Sequence, residues 1–386
     1  MKDNKINILC LSWRDIKCPK SGGAEVFTHE MLKRLDFNKY DITHFSPTFE
    51  GAKEKEIIDN VTYIRRGNIL SVINEAKKYY KINKDEIDFV VDQCNTHKFF
   101  TPLWVPKEKR IFFIHQLTRE IWHINARFPI STLGYLSETP TLRLYKNDYT
   151  ITVSDSTKKD LIDIGFDRDK VTIFPEGINF KPWDKDALLK DKDNIFGYIG
   201  RFVNYKGIDA AVKAYCILKK DYPNSKLWII GKKKDDYIQK VLLPILKENN
   251  ITYGNRDENR DITFWGFVSE KEKLSLMSKM KALLFPSIRE GFGLTVIEAG
   301  AVGTPTVVYN SKGLVDAVDN GKAGYLCEEN TPENLYYFMK NILENENEYG
   351  LKRKNAHDFS LKFNWDSTSK YFDDFINKLN EKSLKK

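Results

Sequence analysis

The segment Phe285–Gly303, FPSIREGFGLTVIEAGAVG, holds the densest chemical signal in the chain. An apolar strand ends at Pro286, a Gly-x-Gly turn follows at Gly291 and Gly293, and an apolar helix is expected to open near Leu294 or Thr295. Glycines let the backbone approach a ligand closely, and the first-turn amides of a helix suit phosphate. The third glycine of a dinucleotide fingerprint is absent, because position 296 is Val. Two acids flank the turn, Glu290 and Glu298. Thr295 and Glu298 have capping-box spacing, which would make Glu298 a helix-start device. Glu290 on its own also reads as an exposed loop acid.

Two further segments have the same strand, glycine turn and helix order. In FGYIGRFVNYKG, residues 196–207, a strand leads into Gly200-Arg201, and Lys206-Gly207 precede a helix. Two cations at a strand end can clamp a diphosphate, Arg as a fork and Lys as a point charge. As an isolated pair they read equally as solvated loop charges. In SGGAEVFTHEMLKRL, residues 21–35, Gly22 and Gly23 separate the first strand from an amphipathic helix, either for close approach to a ligand or as a plain tight turn.

Positioning these turns takes a scaffold of buried strands and covering helices. Short apolar runs recur at Ile6–Leu11, Tyr40–Phe45, Val61–Ile64, Phe89–Val91, Ile111–Ile114, Thr150–Val153, Phe196–Ile199, Leu227–Ile230, Ile262–Trp265, Ala282–Phe285 and Thr306–Tyr309. Several are continuously apolar, as in strands buried on both faces. Amphipathic stretches lie between them, at Ala24–Leu35, Ile69–Tyr80, Ile208–Lys220 and Lys271–Met280. The alternation predicts α/β architecture with parallel sheets. The charged segment Lys181–Asn194 reads as a linker between two doubly wound domains facing a cleft. Apolar residues at helical spacing in Phe363–Lys386 predict a terminal helix.

At 386 residues the chain is long for one core and suits two domains. Aromatics at 13% argue against disorder. No apolar run reaches membrane-spanning length, and the apolar start Ile6–Leu11 is too short for a signal peptide. Five scattered cysteines without a CxxC pair indicate neither a disulfide framework nor a zinc site, and fit a reducing, cytoplasmic setting. The net charge of +8 is spread over both halves, unlike the basic stripe of a nucleic-acid binder. It is compatible with anionic small molecules or an anionic membrane surface.

The order of the motifs is more specific than any one of them. The sequence resembles the retaining glycosyltransferases of family 4, which have the two-domain GT-B fold. The matching pieces run from Gly22-Gly23 through IFFIHQ around His115, ITVSDSTKKDLIDIG at 151–165 and VTIFPEGINF at 171–180. They continue with IGR…KG at 199–207, LWIIGK at 227–232, ITFWGFVSEKEK at 262–273, the E-x7-E element from Glu290 to Glu298, GTPTVV at 303–308 and GKAGYL at 321–326.

The resemblance implies an N-terminal Rossmann-like acceptor domain over 1–182, a C-terminal nucleotide-sugar donor domain over 183–362, and a helix at 363–386 crossing back to the first domain. The implied reaction moves a hexose-type sugar from a UDP- or GDP-linked donor to a hydroxyl of a glycan, glycolipid or other cell-surface acceptor. It retains configuration and needs no metal or bound cofactor. Arg201 and Lys206 match the cations that hold the donor diphosphate. Glu290 matches the acid that contacts the hexose, and Glu298 the acid on the ribose hydroxyls. Gly291, Phe292, Gly293, Leu294 and Thr295 match the backbone facing the diphosphate. Gly22 and Gly23 would let the N-terminal domain close over diphosphate or acceptor, and His115 matches the histidine that reaches the donor sugar. His97 and His123 match no family position.

Competing readings are a non-catalytic nucleotide-sugar-binding module and a GT-B sugar phosphorylase or epimerase. A nicotinamide dehydrogenase would want G-x-G-x-x-G after the first strand, where the chain has Gly-Gly-Ala-Glu. Asp167-Arg168-Asp169 and Asp191-Lys192-Asp193 spell the DxD of metal-dependent transferases, but sit in charged loops. The basic and aromatic stretch 98–128 is a candidate membrane-facing surface for a lipid-linked acceptor, placing the protein peripherally on the inner face of the membrane. Within it, IFFIH also reads as a buried strand.

Overall fold

The computed structural model describes residues 5–94, 96–184, 192–256 and 258–384. The chain divides into two compact units. One comprises Met1–Gly177 with Asn364–Lys386, and the other Ile178–Phe363.

The first unit is built on an eight-stranded sheet. In spatial order its strands are Lys55–Ile58, Val61–Arg65, Tyr40–Ser46, Ile6–Leu11, Phe89–Cys94, Arg110–Ile114, Tyr149–Thr152 and Val171–Ile173. All neighbours are parallel except the edge hairpin of the first two. The strand Phe89–Cys94 is buried throughout, which explains an apolar run without alternation. Within the stretch 98–128, Phe99, Phe112 and Phe113 are fully buried and Lys98 nearly so, while Lys107 and Arg127 are exposed. Within it the strand Arg110–Ile114 is interior, as the buried-strand reading of IFFIH expects, because a parallel strand covered on both faces needs apolar side chains there. Phe128 alone among the stretch's phenylalanines is strongly exposed.

The helix expected from Ile69 begins at Val72 and runs to Asn83. The Asn68 carboxamide accepts the backbone N–H of Leu70 and Ser71, holding those residues in a turn. The helix expected over Ala24–Leu35 runs instead from Gly23 to Leu32.

The C-terminal helix Trp365–Leu384 belongs to this unit. Trp365 is fully buried, with its ring 5.4 Å edge-on to Phe27 of the helix Gly23–Leu32. Phe372 and Phe375 pack edge-on to Phe174. The Asp373 carboxylate accepts from the Lys39 ammonium at 2.6 Å and from the Tyr40 hydroxyl. Apolar spacing predicted the helix; these contacts fix its seat.

The second unit has a seven-stranded, all-parallel sheet, in the order Tyr253–Asn255, Ile262–Gly266, Lys226–Ile230, Ile195–Ile199, Ala282–Phe285, Thr306–Val308 and Tyr325–Leu326. Helices Ile208–Asp221 and Pro332–Glu344 bury Leu218, Leu335 and Met339 in a core with Phe196, Leu227, Ile229 and Leu284. The chain order reverses at Ile195–Ile199, whose neighbours are Lys226–Ile230 and Ala282–Phe285. Such a reversal opens a crevice outside the carboxyl ends of the strands, where doubly wound sheets bind ligands.

Candidate active site

The loops after Ile199 and Phe285 meet at this reversal. Lys206 and Glu290, 84 positions apart in sequence, form an ion pair with both side chains largely shielded from solvent. The Lys206 ammonium also lies over the rings of Tyr205 and Phe285, 5.4 and 5.5 Å from their centroids. The Arg201 guanidinium donates to the Tyr205 hydroxyl at 2.6 Å and is otherwise exposed, its fork open to a ligand.

Backbone packing sets this pairing. Gly207 has φ +70°, and a Cβ there would stand 2.2 Å from the Pro286 carbonyl oxygen. The Ile288 N–H donates to the Tyr205 carbonyl at 2.9 Å, and the Glu290 N–H to the Lys312 carbonyl at 3.0 Å. Glycine at 207 lets the two loops touch, and their contact carries Lys206 to Glu290.

Gly293, at φ +107°, caps the helix Leu294–Ala301, which starts as expected. Helix first-turn amides have no intrahelical acceptor and carry the positive end of the dipole. Phe292 is buried and packs 5.2 Å from Phe363. The capping-box reading of Glu298 is not what the structure contains. Gly293 is the cap, Thr295 lies inside the helix, and the Glu298 carboxylate reaches Lys273 on the helix Glu270–Lys279, at 2.9 Å. Lys273 also meets Glu270 at 2.8 Å. Burial pushes the Glu298 carboxyl above the usual carboxylate value, and Lys273 opposes that rise.

In the first unit, Gly22 caps the helix Gly23–Leu32. Its N–H donates to Glu25 Oε2 at 2.7 Å, and Arg14 Nε donates to Glu25 Oε1 at 3.0 Å. Neither glycine has a positive φ, and a Cβ on Gly23 would meet nothing within 4 Å. Packing inside the unit does not require glycine there. His115 follows the strand Arg110–Ile114 and lies between Phe27 and Phe113, with ring distances of 5.3 and 4.5 Å. Burial pushes its imidazole down to about 3, so the ring is neutral. The Gln93 carboxamide nitrogen donates to the Ala24 carbonyl at 3.2 Å and stands 3.4 Å from His115 Nε2, tying the histidine to the glycine turn.

The structure thus gathers Arg201, Lys206, Glu290 and the Gly291–Thr295 turn in the second unit, and Gly22, Gly23 and His115 in the first. Sequence reasoning passed over Lys273, Tyr205 and Gln93. Lys273 lay inside the ITFWGFVSEKEK segment without an assigned role, and the others bear no local signal. Of the two DxD segments, Asp167 accepts the Asp169 N–H at 3.1 Å and so shapes its own turn. Asp191 lies outside the described residues, as does half of the expected linker. The His97 ring lies tilted, 4.9 Å from Trp13, and His123 packs 5.1 Å from Tyr135. All five cysteines are free thiols. Among the described residues no three His, Cys, Asp or Glu side chains gather as metal ligands, and no helix is long and apolar enough to cross a membrane.

Two doubly wound sheets in one chain are the GT-B class of fold. Residues 21–181 match the family described as Glycosyltransferase Family 4, and residues 179–359 the family described as glycosyl transferases group 1. The chain belongs to these glycosyltransferases. It is 27% identical over 354 residues to an uncharacterized glycosyltransferase of Methanocaldococcus jannaschii, covering 90% of this chain and 92% of that one. Its fold is that of sucrose-phosphate synthase from Thermosynechococcus elongatus, with TM-score 0.77 at 18% identity and coverage of 98% and 100%. It is also that of Anabaena HepE, solved with UDP and glucose, with TM-score 0.70 at 15% identity and coverage of 96% and 99%.

Proposed function

We propose that this glycosyltransferase moves a hexose-type sugar from a UDP- or GDP-linked donor to a hydroxyl of a glycan or lipid-linked acceptor, with retention and without a metal. The observation that carries the reading is the Lys206–Glu290 pair beside Arg201 and the Leu294 helix start, at the carboxyl ends of two adjacent strands. UDP in the Anabaena relative of the fold supports a nucleoside diphosphate as the leaving group.

Breaking the bond from sugar to diphosphate builds negative charge on the leaving oxygen. Arg201, Lys206 and the first-turn amides near Gly293 would stabilise that charge more in the transition state than in the ground state. This electrostatic role needs no metal. Glu290, held by Lys206, would accept from hexose hydroxyls, and Glu298 from ribose hydroxyls. His115, neutral and therefore able both to donate and to accept, is assigned to a donor-sugar hydroxyl. Gly22 and Gly23 are read as close-approach positions for a ligand. The acceptor hydroxyl would attack on the face the diphosphate leaves, giving its proton to the leaving phosphate.

The test begins with thermal unfolding in UDP, GDP, ADP, TDP and NAD. A ligand at 100 times its dissociation constant stabilises by roughly 2.7 kcal/mol. One nucleoside diphosphate should raise the midpoint and NAD should not. Stabilisation by NAD alone would overturn the donor reading. Glu290→Gln should then abolish transfer while leaving nucleoside diphosphate binding intact.

A further inference from the structure

The helix Ile130–Leu142, ISTLGYLSETPTL, is packed in the reverse of the usual sense. Ser131, Glu138 and Leu142 face inward and are buried. Glu138, the helix's sole carboxylate, accepts the backbone N–H of Thr118 at 2.5 Å and of Arg119 at 2.8 Å. The helix contains no Lys or Arg. Ile130, Leu133, Leu136 and Pro140 share the outward side at spacings of three and four, with Phe128 just before them. Phe128 is 82% exposed, and Ile130, Leu133 and Leu136 between 63% and 65%. A surface helix normally turns charges to water. A contiguous apolar face of this kind marks an interaction site.

Cations border the face. Arg127 precedes Phe128, Arg143 and Lys146 follow the helix, and Arg119 donates to Thr139 on the helix at 2.8 Å. Within residues 119–146 the acids are Glu120 and the inward Glu138, and the fold adds Asp167, whose N–H donates to the Lys146 carbonyl at 3.2 Å. A second copy seated by two-fold symmetry would bring this cationic border against itself. An apolar strip rimmed by Arg and Lys instead matches an acyl boundary beneath anionic headgroups.

We infer that Phe128 and the outward face of Ile130–Leu142 form a membrane-docking element that inserts into the interface of an anionic bilayer. The element is separate from the donor-site residues and stands or falls without them.

The test is co-sedimentation of the full chain with phosphatidylglycerol-containing vesicles, against pure phosphatidylcholine vesicles. The wild type should partition to the anionic vesicles, more weakly as salt rises. Leu133→Gln/Leu136→Gln should lower partitioning at least about tenfold, a change of about 1.4 kcal/mol. Its thermal midpoint and nucleotide-induced stabilisation should be unchanged, since both side chains are exposed. Arg127→Gln/Lys146→Gln should reduce the preference for anionic over neutral vesicles. Three results would overturn the inference: no partitioning to anionic vesicles at low salt, equal partitioning of wild type and the double-Leu variant, or a lipid-free dimer that the double-Leu variant dissolves while vesicle binding is unaffected.

Discussion

The Glu298 carboxylate meets the Lys273 ammonium at 2.9 Å, joining the helix that starts at the Gly-x-Gly turn to the preceding helix of the same sheet. Both side chains are largely enclosed. The pair fixes the orientation of a carboxylate that local sequence would assign to helix capping. Removing Lys273 leaves an enclosed acid without its partner, which typically costs a few kcal/mol.

Lys273→Met is therefore expected to destabilise the protein by about 2 kcal/mol and to weaken nucleoside diphosphate binding. Glu298 should titrate at still higher pH in this variant. Because burial raises its carboxyl, the folded state holds a proton that the unfolded state has lost. Glu298 then subtracts stability as pH rises from the ordinary carboxylate value through the raised one. Chemical denaturation of wild type and variant across that range, with nucleotide titration, would check this; equal donor affinity would separate Glu298 from the donor.

Arg201→Gln and Lys206→Gln should each lower transfer by roughly 10²–10³-fold, the usual consequence of losing one preorganised stabiliser of developing charge. Lys206→Gln should have the larger effect, since it also removes the ion-pair partner that orients Glu290. Steady-state kinetics would show a fall in kcat. A rise in KM alone would mean that these cations bind donor and transition state equally.

Gly207 and Gly23 should respond in opposite ways to alanine. Gly207→Ala forces a side chain into a positive φ and against the Pro286 carbonyl. A cost of about 3 kcal/mol is expected, a fall in midpoint on the order of 10 °C. Gly23→Ala places a Cβ in open space at an ordinary φ. Its midpoint should hold or rise slightly, while transfer falls if the glycine exists for a ligand. Unchanged kinetics in Gly23→Ala would make the turn a structural one.

His115 should couple stability to acid. Its folded-state value is depressed to about 3 from an ordinary 6.5, so the unfolded chain binds a proton that the folded chain refuses. Its contribution is fully present above pH 6.5 and is lost as pH falls toward 3. The slope approaches about 1.4 kcal/mol per pH unit. His115→Gln should flatten the stability profile between pH 6.5 and 4 and also lower transfer. An unaltered profile would show that another group, such as the buried His44 (pushed down to about 4), dominates acid sensitivity.

The scaffold was legible because its signals are local. Runs such as Phe89–Cys94 and Ala282–Phe285 are apolar without alternation, as strands covered on both faces must be. The start at Leu294 followed from the Gly-x-Gly turn. Boundaries slipped where a side chain competed with the backbone, as Asn68 does before Val72.

Residue types and order alone determined the parallel α/β class, the glycine turns and the motif set of the family. Tertiary structure decided which groups meet. Lys206 reaches Glu290 because Gly207 lets two distant loops touch, and Glu298 serves Lys273 rather than its own helix cap. The helix Ile130–Leu142 turns its single acid inward and Leu133 and Leu136 outward. Periodicity reveals that a helix has two faces, but only the amides of Thr118 and Arg119, brought alongside by the fold, determine which face is buried.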